Sequence, residues 1–187
     1  MIKMKKHNRA TTFLAALTLV LVFTLCAACA LADIASGTCG NDLTWVLDEE
    51  YTLTISGSGA MVDCSNTSSP WYSNQKYIKN VVIGSDVTSI GNWAFYYCES
   101  LVSVTMPENL TSIGSSAFRG CSALTSIRIP EEVTSIGEYT FYGCKELKTV
   151  NIPEKVTTIG QNAFRGCTGL KSVMIGENVT SIGNFAF

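Results

Sequence analysis

The chain has 187 residues, 47% of them hydrophobic and 15% charged, with a formal net charge of −2. This composition excludes an intrinsically disordered protein, and the length suits one ordinary domain or a short repeat array. Beyond the first nine residues the Lys and Arg form no basic run, so the electrostatic footprint that nucleic-acid binding requires is missing and no nucleic-acid partner is expected.

Residues 1–32 open with Lys3, Lys5, Lys6 and Arg9, continue as an apolar run from Phe13 to Ala32, and end in Ala30-Leu31-Ala32 before Asp33. Basic, apolar and small residues in that order predict a secretory signal peptide with an A-x-A cleavage site. The rival reading is an uncleaved anchor, since the apolar run approaches the roughly 20 residues that span a bilayer. A lipoprotein anchor on Cys29 fits less well, because Cys26 stands three residues before it in place of Leu. Cleavage would leave nine basic and fifteen acidic residues, a net charge of −6, in a secreted or cell-surface chain without a membrane span. The one histidine, His7, lies in this leader. Ser-His-Asp and Cys-His catalysis and imidazole metal sites are therefore excluded from the rest, which reads as non-enzymatic and free of cofactors.

Residues 33–77 have the texture of a small β-rich module. Period-2 alternation at Leu43, Trp45 and Leu47, and again at Tyr51, Leu53 and Ile55, predicts two strands joined through Asp48-Glu49-Glu50 as a hairpin. Gly57-Ser58-Gly59 is expected to end the second strand, and Ser65 to Pro70 form a polar loop leading to Trp71-Tyr72. The module is expected to cover the open end of a repeat stack, which such proteins need for solubility.

From residue 78 to 187 a 23-residue period governs the chain. Ile-Gly recurs at Ile90, Ile113, Ile136, Ile159 and Ile182, Phe follows at Phe95, Phe118, Phe141, Phe164 and Phe187, and Cys at Cys98, Cys121, Cys144 and Cys167. A period of that length means one supersecondary unit per copy, stacked on its neighbours to bury a shared core. The first repeat strand is expected at Lys79 to Gly84, because Ile78, Val81 and Ile83 precede Leu101, Val104 and Met106 by one period. Within the unit at 101–123, Leu101, Val104 and Met106 point inward, while Val102, Ser103 and Thr105 face out. Pro107 ends the strand. Leu110, Ile113, Ala117 and Phe118 fill the core from the return side, where the 113–118 spacing suits a short helical or 3₁₀ turn. Gly114 permits a backbone bend, close coil packing or a helix start. The fold class is a leucine-rich-repeat solenoid with one strand and one helical or 3₁₀ turn per coil, preceded by the hairpin module.

The unit I-G-x-x-A-F-x-x-C-x-x-L-x-S-V-x-I-P-x-x-V-T-S, read from Ile90 to Ser112 and again from Ile113, Ile136 and Ile159, resembles the BspA-like leucine-rich repeat family. Gly37-Thr38-Cys39-Gly40, with Leu43-Thr44-Trp45 and Leu53 to Gly57, is similar to the segment often preceding such repeats in exported bacterial proteins. Thr140 replaces the usual Ala, and Gly84 and Gly176 replace Pro at the strand end. The resemblance implies a surface or secreted protein, with adhesion to host proteins or other cells in several members, and no catalytic residue to carry over.

The cysteines allow two chemistries. Cys98, Cys121, Cys144 and Cys167 repeat at equivalent positions, where parallel Cβ vectors favour a ladder of buried free thiols over disulfides. Their spacing lacks the close pairs of structural zinc sites. Cys39 and Cys64 stand apart in the small module and are a candidate disulfide, with two free thiols as the alternative. Glu108, Glu131, Glu154 and Glu177 recur at one turn position and line an edge without converging on a cleft, as glycosidase chemistry would need. Asp48-Glu49-Glu50 lacks the spaced ligands of a calcium loop.

If the repeats bind a ligand, recognition is expected on the outward strand positions. The candidate face comprises Lys79, Val82, Ser103, Thr105, Ser126, Arg128, Lys148, Asn151, Lys171 and Met174, a small-polar strip with scattered cations and no aromatic sugar platform. A second strip, Tyr96, Arg119, Tyr142 and Arg165, alternates aromatic and cationic residues and suits cation–π stacking between coils. Three sequons at Asn66, Asn109 and Asn178 read as by-products of the repeat motif.

The sequence stops within a unit, at Phe187, without a polar capping segment, which predicts either a longer protein or an end covered by a partner or second copy in end-to-end association. The leading functional expectation is a non-catalytic module for protein or glycan ligands at a cell surface. Its rivals are a targeting module for an enzyme beyond residue 187 and a structural spacer without ligand.

Overall fold

The computed structural model describes residues Asp33–Phe187; the expected leader, with His7, Cys26 and Cys29, lies outside the described residues. Strands β1 (Asp33–Thr38), β2 (Asp42–Asp48) and β3 (Thr52–Ala60) run antiparallel in chain order. Alternation drives this: Leu43, Trp45 and Leu47 share one face of β2 and are buried, opposite Ile55 and Leu53 of β3. The Asp48 carboxylate closes the turn by accepting the Glu50 and Thr52 N–H groups, both at 2.9 Å, with Tyr51 at φ 62°. The hairpin therefore forms where expected, while β1, which carries no alternating apolar pattern, is an addition.

The expectation that Gly57-Ser58-Gly59 ends the strand is corrected. β3 continues to Ala60, bent through Gly57 at φ 107° and Gly59 at φ 102°. A Cβ on Gly57 would stand 1.9 Å from the Asp42 carbonyl oxygen, so only glycine lets β2 and β3 stay paired through the bend. The bend gives β3 two parallel partners, β4 (Asn80–Ile83) on its first half and β5 (Asp86–Ile90) on its second.

Two parallel ladders start from those partners, each stepping by 23 residues. β4 pairs with β6 (Ser103–Thr105) as Asn80↔Ser103 and Val81↔Val104. β5 pairs with β7 (Ser112–Ile113), then β8 (Ser135–Ile136), β10 (Thr158–Ile159) and β12 (Ser181–Ile182) follow in the same register. Further along the first ladder, β9 (Thr149–Ile152) pairs with β11 (Ser172–Ile175). These two-residue strands of the second ladder were not anticipated from the sequence.

The helical turn expected at 113–118 is absent, and so is its equivalent in every unit; the described residues hold one short 3₁₀ segment, Tyr72–Tyr77. The reason is the sign of φ. Ser116 (57°) and Gly120 (77°), Tyr139 (56°) and Gly143 (73°), and Asn162 (55°) and Gly166 (79°) are left-handed, and residues such as Phe118 between them are not. Alternation turns every second N–H out of the unit and onto the next one: Phe95 to Ala117, Phe118 to Thr140 and Phe141 to Ala163 bond at 2.8, 2.9 and 2.8 Å. A one-turn helix would keep those donors inside and recover too few bonds to offset nucleation.

Stacking fills the interior. Phe95, Phe118, Phe141, Phe164 and Phe187 form a continuous column with neighbouring centroids 5.2 to 5.6 Å apart and planes within 12°. Trp71 extends the column, stacked on Phe95 at 5.3 Å, and Trp45 meets Trp71 edge-on at 5.9 Å. The Ile-Gly glycines hold the units close: a Cβ on Gly114 would lie 2.5 Å from the Asn92 nitrogen, and one on Gly160 would lie 2.6 Å from the Gly137 carbonyl carbon. Close approach, not φ, fixes that glycine, which decides among the three roles open for Gly114. Val104 and Met106 are only half-buried against the core that Leu101 fully joins.

Candidate binding surface

The first ladder places the expected strip on one exposed face. Lys79 and Val82 lie before and within β4, Ser103 and Thr105 in β6, Asn151 in β9 and Met174 in β11, with Lys148 and Lys171 just before the last two; all are exposed. Ser103 donates its hydroxyl to Asn80 Oδ1 at 2.7 Å, and the Lys79 ammonium sits 4.8 Å from the Tyr51 ring centroid.

The ladder lapses at the third unit. Residues 124–130 form no strand, and among the described residues the backbone of Ser126, Ile127, Arg128 and Ile129 makes no hydrogen bond. Only the first rung survives, with Thr125 donating to Val102 at 3.5 Å and receiving from Lys148 at 3.1 Å. Over this lapse the face opens into a depression of about 420 Å³. Ser126, Arg128, Asn151 and Met174 of the expected strip line it, together with Thr149, Ser172 and Glu131. Lys79, Val82, Ser103, Thr105, Lys148 and Lys171 lie outside it.

Arg128 pairs with Glu108 of the preceding unit, whose carboxylate raises the guanidinium pKa through a hydrogen bond; both side chains are two-thirds exposed. Lys148 pairs with Glu146 at 2.8 Å and holds that carboxyl below its ordinary range through the same kind of bond. Such exposed pairs exchange readily with solvent or a ligand. Of the recurring glutamates, Glu108 is taken by Arg128, and Glu154 accepts the Glu177 N–H at 2.9 Å. A neighbouring pair, Lys155 with Glu132 at 2.6 Å, joins successive units and was missed, although its 23-residue separation was the available signal.

The four repeated cysteines lie buried as free thiols, and three of them donate to the Phe carbonyl of the preceding unit: Cys121 to Phe95 at 3.2 Å, Cys144 to Phe118 at 3.3 Å and Cys167 to Phe141 at 3.1 Å. Burial pushes Cys98 and Cys121 far above the ordinary thiol pKa. Cys39 and Cys64 are free thiols in this structure. The Val62 N–H bonds the Cys39 carbonyl at 2.9 Å, which draws the two segments together; burial, and then the nearby Cys64, push Cys39 up to about 11.

The aromatic and cationic strip is only partly as expected. The Arg119 guanidinium lies 5.9 Å from Tyr96 and 4.9 Å from Tyr142, but also 5.0 Å from Tyr139, which the spacing did not indicate. Arg165 lies over Phe185 at 5.2 Å instead of Tyr142 and bonds Asn162 at 3.1 Å.

Among the described residues no three His, Cys, Asp or Glu gather as a metal would need, and no helix is long and apolar enough to cross a membrane. The family profile described as BspA type leucine rich repeat region matches residues 65–187 in six copies. A leucine rich cell surface protein from Faecalibacterium prausnitzii is 32% identical with a TM-score of 0.61, aligned over 82% of this chain and 46% of that one. A leucine-rich repeat protein from Bacteroides ovatus is 32% identical with a TM-score of 0.57, over 79% of this chain and 37% of its own. The Treponema pallidum leucine-rich repeat protein is 26% identical with a TM-score of 0.55, over 79% and 81%. The chain thus spans less than half the length of the Faecalibacterium and Bacteroides ovatus proteins. No curated protein matches it.

Proposed function

This chain belongs to the BspA-type leucine-rich repeat family, and from that premise we propose that it is an exported, non-catalytic module that binds a protein ligand at a bacterial cell surface. The observation that carries the reading is the lapse in the first ladder under the Arg128 depression. Unbonded backbone groups at Ser126 to Ile129 offer donors and acceptors. Arg128 is a side chain enriched in interfaces, and Met174, 65% exposed, is the kind of adaptable apolar contact such surfaces use. Val82 and Val102 add exposed apolar area along the same strip. A glycan on this face is the alternative ligand, and the description of the Faecalibacterium relative as a cell surface protein supports the location. In this reading β1 to β3 cover the first unit of a solenoid, and a disulfide-bearing oxidant met after export takes two electrons and two protons from Cys39 and Cys64 and joins them, its own disulfide being reduced to two thiols.

The test is binding of the purified chain to immobilised fibronectin, collagen and mucin, with Arg128→Ala/Lys148→Ala alongside. About tenfold weaker binding of the double variant, at unchanged melting temperature, supports the face, as loss of an anchoring cation would predict. Unchanged binding moves the site elsewhere, and no binding to any of the three favours a spacer.

A further inference from the structure

A second depression, of about 360 Å³, lies away from the sheet strip, between the 3₁₀ segment Tyr72–Tyr77 and the turn at residues 96–99. We infer that it is a binding site for a neutral glycan, built on Tyr72, Tyr96 and Tyr97.

One backbone position sets this unit apart from those that follow. Tyr97 sits at φ 51°, the left-handed position that Gly120, Gly143 and Gly166 occupy in the following units. A tyrosine there is disfavoured by its Cβ and persists only where surrounding structure holds it. What holds it is visible: Tyr97 donates its N–H to the Arg119 carbonyl at 2.8 Å, and its ring lies over Gly120, where a Cβ would come within 3.0 Å of the ring atoms. Gly120, glycine like Gly143 and Gly166 for its positive φ, leaves space for a ring that the equivalent position of the three following units does without. The Tyr97 residue stays 40% exposed, and Tyr72 41%. Tyr96 packs edge-on against Tyr97 at 4.5 Å and against Trp93 at 4.7 Å, which sets the aromatic surface rigidly.

The lining selects the ligand. Asn66 and Gln75 offer amides that both donate and accept, Glu99 accepts and Lys76 donates. A pyranose ring has a C–H face that stacks on aromatic rings and a rim of hydroxyls that both donate and accept, so it matches this mixture. One cation against one anion gives no net charge to attract an acidic sugar. Strand addition by a peptide has little to pair with, because the nearby backbone is already engaged: the Glu99 N–H donates to the Tyr97 carbonyl at 2.8 Å and the Ser100 hydroxyl donates to the Lys76 carbonyl at 2.7 Å. The sequence strip lacked an aromatic platform because these rings come together only where the 3₁₀ segment meets the turn.

The experiment is saturation-transfer NMR and calorimetry of the purified chain against neutral hexasaccharides of glucose, mannose and N-acetylglucosamine, with sialylated oligosaccharides for comparison. At least one neutral sugar is expected to bind, with Tyr97→Gly weakening it about tenfold or more at an equal or higher melting temperature. Glycine is the residue the other units carry, so this variant removes the ring without threatening the fold. Arg128→Ala/Lys148→Ala is expected to leave sugar binding unchanged, which separates this site from the sheet face. No neutral binding, preference for the sialylated sugars, or full binding by Tyr97→Gly overturns the inference.

Discussion

Trp71 lies stacked on Phe95, centroids 5.3 Å apart and planes 15° from parallel, while its indole N–H donates to the Ala94 carbonyl at 2.8 Å. One side chain therefore continues the phenylalanine column and ties it by a buried bond to the segment that follows the meander β1 to β3. Trp45 meets the column edge-on at Trp71.

Replacing Trp71 separates the two contributions. Trp71→Phe keeps a ring in the column and leaves the Ala94 carbonyl without its partner, an expected cost of about 1 to 3 kcal/mol. Trp71→Ala removes the ring as well, and about 3 to 5 kcal/mol is expected for a truncated buried aromatic. Urea unfolding checks the order; equal losses would show that stacking contributes nothing beyond the hydrogen bond.

Two glycines with different reasons for being glycine give a second comparison. A Cβ on Gly160 would meet the Gly137 backbone at 2.6 Å, so Gly160→Ala forces adjacent units apart and is expected to cost about 3 kcal/mol or more. Gly143, at φ 73°, has its nearest neighbour 4.0 Å from such a Cβ, and Gly143→Ala carries only left-handed strain, about 1 to 2 kcal/mol. Denaturation midpoints should fall in that order, and the reverse would refute close approach as the constraint on the Ile-Gly position.

The parts of this fold that the sequence displays are those that stacking makes periodic. Ile113, Phe118 and Cys121 recur at 23 residues because each must meet its own copy in the next unit, and Leu43, Trp45 and Leu47 alternate because one face of β2 is buried. What stays hidden depends on the backbone. β1 is held by pairing to β2 with mostly exposed side chains, so it leaves no apolar pattern. Ser116, Tyr139 and Asn162 share a left-handed φ that nothing in their chemistry has in common. Trp71 stands 24 residues before Phe95, one off the period, because the 3₁₀ segment alters the spacing. The outward strip was legible as a face, but the lapse at Ser126 to Ile129 was not, since Ser-Ile-Arg-Ile fits the repeat as well as the units that do pair.

Cys39 and Cys98, whose thiols burial pushes up, give a pH dependence whose sign follows from that direction. An unfolded chain loses its thiol protons near the ordinary value of 9.0, whereas burial holds Cys39 protonated up to about 11 and Cys98 beyond that. Above pH 9 the unfolded state therefore binds fewer protons than the folded one, and stability falls as pH rises. Below pH 9 the contribution is fully present. The urea midpoint should decline between pH 9 and 11, and less steeply in Cys98→Ala than in the parent, whose Cys98 thiol is fully buried. Diamide supplies a second arm: its azo group takes two electrons and two protons from Cys39 and Cys64, leaving a disulfide that no longer titrates. Oxidised protein should then hold its midpoint further into that window than reduced protein. A midpoint that stays flat from pH 9 to 11 in the reduced chain would mean that these thiols are solvated.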